Sequence, residues 1–157
     1  MRLEKFLLER QTIALHQEAA DWKEAVRLAT RLLENAGVIT PAYYQAILDN
    51  HAKNGPYYVI VPSVAMPHAA PDGNIKETGF SLVTLKTPVL FGHAEHDPVD
   101  VVLCIAAPDR QSLNEETIVQ VMELVDDEST IDSIKKARTE EDIRLLLQTI
   151  FQEHARN

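Results

Sequence analysis

The stretch that most constrains the fold is a nearly continuous apolar run at residues 99–107, Val-Asp-Val-Val-Leu-Cys-Ile-Ala-Ala. A strand with one solvated face alternates apolar and polar residues, whereas a strand covered on both faces has little need of polar positions. The run therefore predicts a central strand with protein packed on both sides. Pro108 and Asp109 mark its end, because both residue types favour turns.

Shorter strands and amphipathic helices alternate along the rest of the chain. Asp21 and Glu24 have the spacing of a capping box, Gly37 provides a helix stop, and Thr40 begins another helix. Ser112 begins a second capping box. Such alternation predicts an α/β fold in which residues 1–157 form a single domain, with a central mixed, mostly parallel sheet and helices on both faces. The other predicted elements are a helix in the first ten residues, strands at 12–16, 57–61 and 80–85, an edge segment at 88–92, and helices at 129–137 and after Thr139.

The charge balance excludes several classes of partner. The 157 residues carry a formal net charge of -9, so no basic stripe is available to neutralise nucleic-acid phosphates or to bind an anionic membrane surface. No apolar run approaches the roughly 20 residues of a membrane span, and the charged N-terminus does not have the pattern of a signal peptide. The single cysteine, Cys104, lies in the most apolar strand and is expected to pack in the core. We expect a cytoplasmic protein.

One histidine is presented on a stiff loop. The predicted strand at residues 57–61 ends at Pro62, and Ser63-Val64-Ala65-Met66-Pro67 then leads to His68. Pro67 fixes its own backbone and restricts the preceding residue to extended geometry. Chemistry in open α/β sheets commonly lies just past strand ends. From these residues alone, His68 can be a nucleophile, a general acid or base, a metal ligand or a polar surface residue.

A second cluster, His93-Ala94-Glu95-His96-Asp97, contains residue types that bind metals. Gly92 and Pro98 bracket it, however, so its histidines lie on a loop rather than on one face of a helix. No further Cys/His pair completes a tetrahedral site, and we predict no metal. The alternatives are a solvated loop, a loop that brings His93 to His68, and a metal-dependent hydrolase.

The order of several motifs resembles a known family. Ala65-Met66-Pro67-His68 is followed by a Gly-Phe-Ser-Leu-Val-Thr-Leu-Lys strand, by Asp97-Pro98-Val99-Asp100-Val101-Val102 leading to Ile105-Ala106-Ala107, and by Leu124-Val125-Asp126-Asp127-Glu128. This series is similar to the EIIA proteins of the bacterial phosphoenolpyruvate:sugar phosphotransferase system (PTS), of the mannitol–fructose type. The segments Tyr43-Tyr44-Gln45-Ala46-Ile47-Leu48-Asp49 and Asn54-Gly55-Pro56-Tyr57 bring it nearest to the ascorbate branch.

The resemblance implies a phosphoryl relay without a cofactor. His68 would accept a phosphoryl group from the phosphohistidine of the carrier HPr and pass it to a cysteine of a cognate EIIB. The indirect partner would be a membrane EIIC, and the transported compound ascorbate or a related carbohydrate. The backbone N–H groups of His68, Ala69 and Ala70 are the expected donors to the phosphoryl oxygens. A homo-oligomer is also possible in such a family.

The sequence departs from the family pattern in two places. Relatives usually carry a second, helper histidine after the Ile-Ala-Ala strand, where this chain has Arg110-Gln111-Ser112-Leu113-Asn114. The residue after the active histidine is commonly glycine, and here it is Ala69. Ser112, Asn114 and Arg110 are the candidate substitutes for the helper in this segment, and His93 is a further candidate. The alternative is a paralogue that keeps the fold for regulation or binding without transferring phosphate.

Overall fold

The computed structural model describes the backbone of residues 1–156 and the side chains of residues 1–151. Helices and strands alternate as the sequence predicts, and a π-helical turn at Leu113–Thr117 joins the helices Arg110–Ser112 and Ile118–Val125. The helices are α1 Leu3–Glu9, α2 Trp22–Asn35, α3 Ala42–Asn54, α4 Arg110–Ser112, α5 Ile118–Val125, α6 Glu128–Lys136 and α7 Glu140–Arg156; the strands are β1 Ile13–Gln17, β2 Val59–Val61, β3 Val64–Ala65, β4 Gly79–Val89 and β5 Val99–Ala106.

The strands form one mixed sheet in the order β1-β4-β5-β3-β2. The pairs β1/β4 and β3/β5 are parallel, whereas β2/β3 and β4/β5 are antiparallel. The mixed sheet is thus as predicted, but within the described chain its parallel pairings do not outnumber its antiparallel ones. The reason is a short β2–β3 hairpin that the sequence did not reveal. Ser63 adopts φ 69° in its turn, and β3 rather than β2 leads into the His68 loop.

The central strand predicted from the apolar run is confirmed. Every residue of β5 except Asp100 is buried, and because successive side chains point to opposite faces, both faces of this strand are covered. Helices α1 and α2 pack against β4, and α6 packs against β5. Gly79 permits close packing, since an added Cβ would lie 2.8 Å from Cγ2 of Val38.

Of the four predicted helix caps, those at Asp21 and Thr139 are confirmed. The cap at Thr40 is wrong by one residue, because Pro41 occupies the N-cap position of α3 and no side chain caps this helix. The Asp21 carboxylate accepts the N–H of Glu24 at 2.9 Å, and Thr139 Oγ1 accepts the N–H of Asp142 at 3.1 Å. The capping box at Ser112 is wrong. Asp109 is the N-cap, in extended geometry, and its carboxylate accepts the N–H of Ser112 at 2.8 Å. Asp109 follows β5 and lies three residues before Ser112. Its carboxylate therefore caps the free N–H groups at the start of the helix, and the helix begins before the serine.

Among the described residues, no helix combines the length and the apolar character needed to cross a membrane.

Candidate functional site

The His68 loop is tied to the sheet along its length. The N–H of Met66 donates to Tyr58 O at 2.8 Å, and the N–H of Ile105 donates to Pro67 O at 3.1 Å. The pairing of β3 with β5 therefore continues past the last residue of β3. Because these strands are parallel, His68 lies at the end of the sheet where the carboxyl ends of β3 and β5 meet.

One nitrogen of the His68 ring is hydrogen-bonded, and the other has no hydrogen-bond partner among the described residues. Nδ1 lies 2.7 Å from Met66 O, and a carbonyl can only accept, so Nδ1 carries the proton. The neutral ring then has its lone pair on Nε2. His68 is only 7% exposed, and this burial lowers its pKa from the ordinary 6.5, although the hydrogen bond to Met66 opposes the shift. The side chain is accordingly a neutral imidazole, nucleophilic at Nε2, at neutral pH.

Two side chains of the α3–β2 region surround His68. The ring of Tyr57 meets the imidazole edge to face, with centroids 5.7 Å apart and planes at 88°. Asn50 Nδ2 donates to the Tyr57 hydroxyl at 2.8 Å and to His68 O at 3.2 Å. These contacts fix both the ring and the backbone of His68.

Of the three predicted backbone donors, Ala69 is already engaged. Its N–H donates to the Tyr43 hydroxyl at 3.1 Å, and that hydroxyl donates to Ile105 O at 2.8 Å. The Ala69 amide is therefore already paired in this structure, and its role as a donor to a phosphoryl oxygen stays a prediction. The N–H groups of His68 and Ala70 have no hydrogen-bond partner within the described structure, and Ala70 is exposed.

Ser112 follows the carboxyl end of β5, at the same end of the sheet as the His68 loop. Its Oγ lies 3.2 Å from the Asp109 carboxylate, to which it donates. In residues 1–151 no hydrogen bond joins Ser112 to His68, so its contact with a phosphoryl group stays a prediction. Arg110 is exposed, and no ion pair involves its guanidinium in the same residues.

The described contacts of His93 lie within its own loop. Its ring stacks on His96 with centroids 4.6 Å apart, and its Nδ1 accepts the N–H groups of Glu95 and His96 at 3.2 and 3.1 Å. The carbonyl of His96 accepts the N–H of Ser63, at the turn before β3 rather than at the strand's end. Through residue 151, no hydrogen bond or ring contact joins His93 to His68. The approach of His93 to His68 therefore stays a prediction.

The same loop is held by its own hydrogen bonds. Asp97 accepts the N–H groups of Phe91, Gly92 and His93 at 2.7–3.1 Å. No group of three or more His, Cys, Asp or Glu side chains that could hold a metal ion occurs in the described chain. The loop's polar residues satisfy its backbone, which is the ordinary use of aspartate in turns.

Sequence reasoning missed three residues of this site: Tyr43, Asn50 and Tyr57. Tyr57 was expected to begin the strand at 57–61, and no role in the site was predicted for Tyr43 or Asn50. Their convergence depends on how α3 packs beside β3 and β5, which no short-range pattern encodes. The one available signal was the likeness of Asn54-Gly55-Pro56-Tyr57 to the ascorbate branch.

Comparison with known proteins places the chain in a family. The model of the phosphoenolpyruvate-dependent sugar phosphotransferase system, EIIA 2, matches residues 6–150. The ascorbate-specific PTS system EIIA component of Escherichia coli K12 is 46% identical over 143 residues, which cover 91% of this chain and 93% of that protein.

Solved structures agree with this match. The cryptic mannitol-specific enzyme IIA of E. coli is 32% identical with a TM-score of 0.80, over 93% of this chain and 97% of that one. The complex of the E. coli mannitol enzyme IIA with phosphorylated enzyme IIB gives 28% identity and a TM-score of 0.77, over 88% and 95% of the two chains.

The chain therefore belongs to the EIIA 2 family of the sugar phosphotransferase system. EIIA components are phosphotransferases that carry a phosphoryl group on a histidine, so this protein is a phosphoryl-carrier component of a sugar PTS. The predicted family, fold class and phosphotransferase activity are confirmed.

Proposed function

We propose that His68 is the phosphoryl-carrying histidine and that Nε2 is its reacting atom. The observation that carries this proposal is the hydrogen bond from Nδ1 to Met66 O, which leaves the lone pair of a buried, neutral imidazole on Nε2. The donor is a phosphohistidine of an HPr-like carrier in the cytoplasm. The N–P bond to the donor breaks as the bond to Nε2 forms, and the electron pair of the broken bond returns to the donor nitrogen.

Phosphorylation leaves a positive charge on the His68 ring, because Nδ1 keeps its proton. The Met66 carbonyl accepts that proton, and its dipole stabilises the charged ring. The phosphoryl oxygens need donors of their own, since transfer of this kind depends on positioning and on charge stabilisation. The N–H groups of His68 and Ala70 and the guanidinium of Arg110 are the donors we propose, with Ser112 after rotation away from Asp109.

The next acceptor is a cysteine thiolate of an EIIB. Its sulfur attacks phosphorus, the N–P bond breaks, and the electron pair returns to Nε2, which restores the neutral Nδ1–H form of His68. The E. coli mannitol relative forms a complex with phosphorylated enzyme IIB, which supports this direction. The identity of 46% to an ascorbate-specific component supports ascorbate as the compound whose uptake the relay drives, through an EIIB and a membrane EIIC of that branch.

A reconstituted relay tests this function. The purified chain is incubated with radiolabelled phosphoenolpyruvate, Enzyme I and HPr, and then with an EIIB of the ascorbate system or, in parallel, of the mannitol system. We expect acid-labile label on the chain and faster transfer to the ascorbate EIIB. Absence of label with active HPr would indicate a paralogue that does not transfer phosphate, and equal transfer to both EIIB proteins would contradict the ascorbate assignment.

A further inference from the structure

The His68 imidazole has a hydroxyl group beside it that the relay described above does not use. The Tyr57 ring stands edge to face with the imidazole, 5.7 Å between centroids. His68 is 7% exposed whereas Tyr57 is 50% exposed, so this contact joins a buried histidine to a side chain that reaches the protein surface. A phosphoryl group on His68 must be accessible to its partner proteins, and Tyr57 is a large, half-exposed side chain in contact with the His68 ring.

The Asn50 amide sets the direction of the Tyr57 hydroxyl. Asn54 Nδ2 donates to Asn50 Oδ1 at 2.7 Å, which orients the Asn50 NH₂ group away from Asn54. That NH₂ group donates to the Tyr57 hydroxyl at 2.8 Å and to His68 O at 3.2 Å. One amide therefore holds the hydroxyl in a fixed relation to the backbone of the reacting residue.

The hydrogen bond from Asn50 occupies an acceptor position of the Tyr57 oxygen and leaves its proton unused. A phenolic hydroxyl both accepts and donates, and in the described residues the Tyr57 hydroxyl has no acceptor for its own proton. The hydroxyl is thus a preoriented donor without a partner, next to the ring that carries the phosphoryl group.

We propose that the Tyr57 hydroxyl donates a hydrogen bond to a phosphoryl oxygen carried on His68, with Asn50 as its positioning residue. This inference rests on the proposed function of His68. The Tyr57 hydroxyl supplies a side-chain donor to the phosphoryl group. Residues 110–114 contain no histidine, and the Ala69 amide already donates to Tyr43. Tyr57 acts here as a catalytic residue, because it contacts the transferred group.

The test compares Tyr57→Phe with the wild-type chain in the HPr-driven labelling reaction. The phenylalanine keeps the ring against His68 and removes only the donor. A hydrogen bond to a charged group is worth about 1.5–3 kcal/mol, so we expect phosphoryl transfer to slow by about tenfold or more. Tyr44→Phe is the matched control, since the Tyr44 hydroxyl donates to Lys23 O at 3.1 Å and should leave the rate unchanged.

A second measurement separates hydrogen bonding from a structural effect. Phosphorus NMR gives the pKa of the phosphoryl group on His68, which a donor lowers because it favours the dianion. Tyr57→Phe should raise that pKa. Asn50→Ala should raise it more in the wild-type background than when Tyr57→Phe is already present, because Asn50 also donates to His68 O.

The outcomes distinguish the two proposals. A wild-type chain that takes no label from active HPr overturns the proposed function of His68. A wild-type chain that labels normally, with a Tyr57→Phe variant of equal rate and equal phosphoryl pKa, overturns the role of Tyr57 alone. Thermal unfolding of each variant confirms that the compared chains are folded.

Discussion

The hydroxyl of Tyr43 accepts a hydrogen bond from the Ala69 N–H at 3.1 Å and donates one to Ile105 O at 2.8 Å. Tyr43 belongs to α3 and is fully buried, so one side chain ties a helix, the His68 loop and β5 together. Burial also raises the pKa of the Tyr43 phenol well above its ordinary value, and the hydroxyl keeps its proton. The loop that carries His68 is therefore fixed from the side facing the core.

Replacing Tyr43 by phenylalanine should destabilise the fold. The change leaves the buried N–H of Ala69 and the carbonyl of Ile105 without this partner, which costs about 1–3 kcal/mol for an unsatisfied buried group. Urea unfolding measures the loss. The rate of His68 labelling should also fall, because the loop loses a fixed point. An unfolding free energy equal to that of the wild type would show that this hydroxyl does not hold the loop.

The low pKa of His68 predicts a loss of stability in mild acid. Unfolded histidine titrates near about 6.5, and the folded group titrates lower, so between these values the unfolded chain binds more protons. This contribution is fully present above the unfolded pKa and is lost as pH falls below it, toward the folded value.

The comparison that isolates His68 uses His68→Gln. Urea midpoints at about pH 7.5 and about pH 5.5 should differ more for the wild type than for the variant. His51 also has a pKa lowered by burial and contributes a loss of the same sign to both chains, so the difference between the chains reports His68. Equal pH dependence in the two chains would contradict a depressed pKa at His68.

His93→Ala should lower the free energy of unfolding without slowing phosphoryl transfer from HPr. The variant loses the acceptor for two backbone N–H groups and the stack on His96, which predicts a loss of about 1 kcal/mol in urea unfolding. Labelling of the folded variant by HPr should stay within about twofold of wild type. A tenfold loss of labelling without a loss of stability would instead bring His93 into the phosphoryl site.

The features of this fold that depend on residues close in sequence could be predicted, and those that depend on distant residues could not. The apolar run and the caps at Asp21 and Thr139 were readable because strand burial and capping depend on residues close in sequence. The β2–β3 hairpin was not, because β3 has only two residues and its turn places Ser63, not glycine, at positive φ. His68 was identified by its loop and by the family resemblance.

The surroundings of His68 could not be predicted in the same way. The contacts of Tyr43 with Ala69 and with Ile105 span 26 and 62 residues of sequence, and the choice of partner depends on the packed helix. Ser112 was misread for a similar reason, since Asp109 offers a cap three residues earlier. The hydrogen bond from the Ala69 N–H to the buried Tyr43 hydroxyl was likewise not predictable from residues close in sequence.

The reactivity of the Cys104 thiol tests whether β5 is a buried central strand. Its thiol is fully buried and burial raises its pKa, so it should be unreactive as a nucleophile. A thiol reagent such as Ellman's reagent should modify it only after denaturation. Modification of the native chain at the rate of a free thiol would show that β5 opens readily and is not the closed central strand described above.

The role of Nε2 of His68 as the phosphoryl-carrying atom is tested by identifying the phosphorylated atom. A chain with ¹⁵N-labelled histidines is phosphorylated through HPr, and nitrogen–phosphorus coupling is measured by NMR, with His68→Gln as the control. The structure predicts coupling to Nε2 of His68, a proton retained on Nδ1, and no signal in the variant. A phosphoryl group on Nδ1, or one that persists when His68 is replaced, would contradict the account.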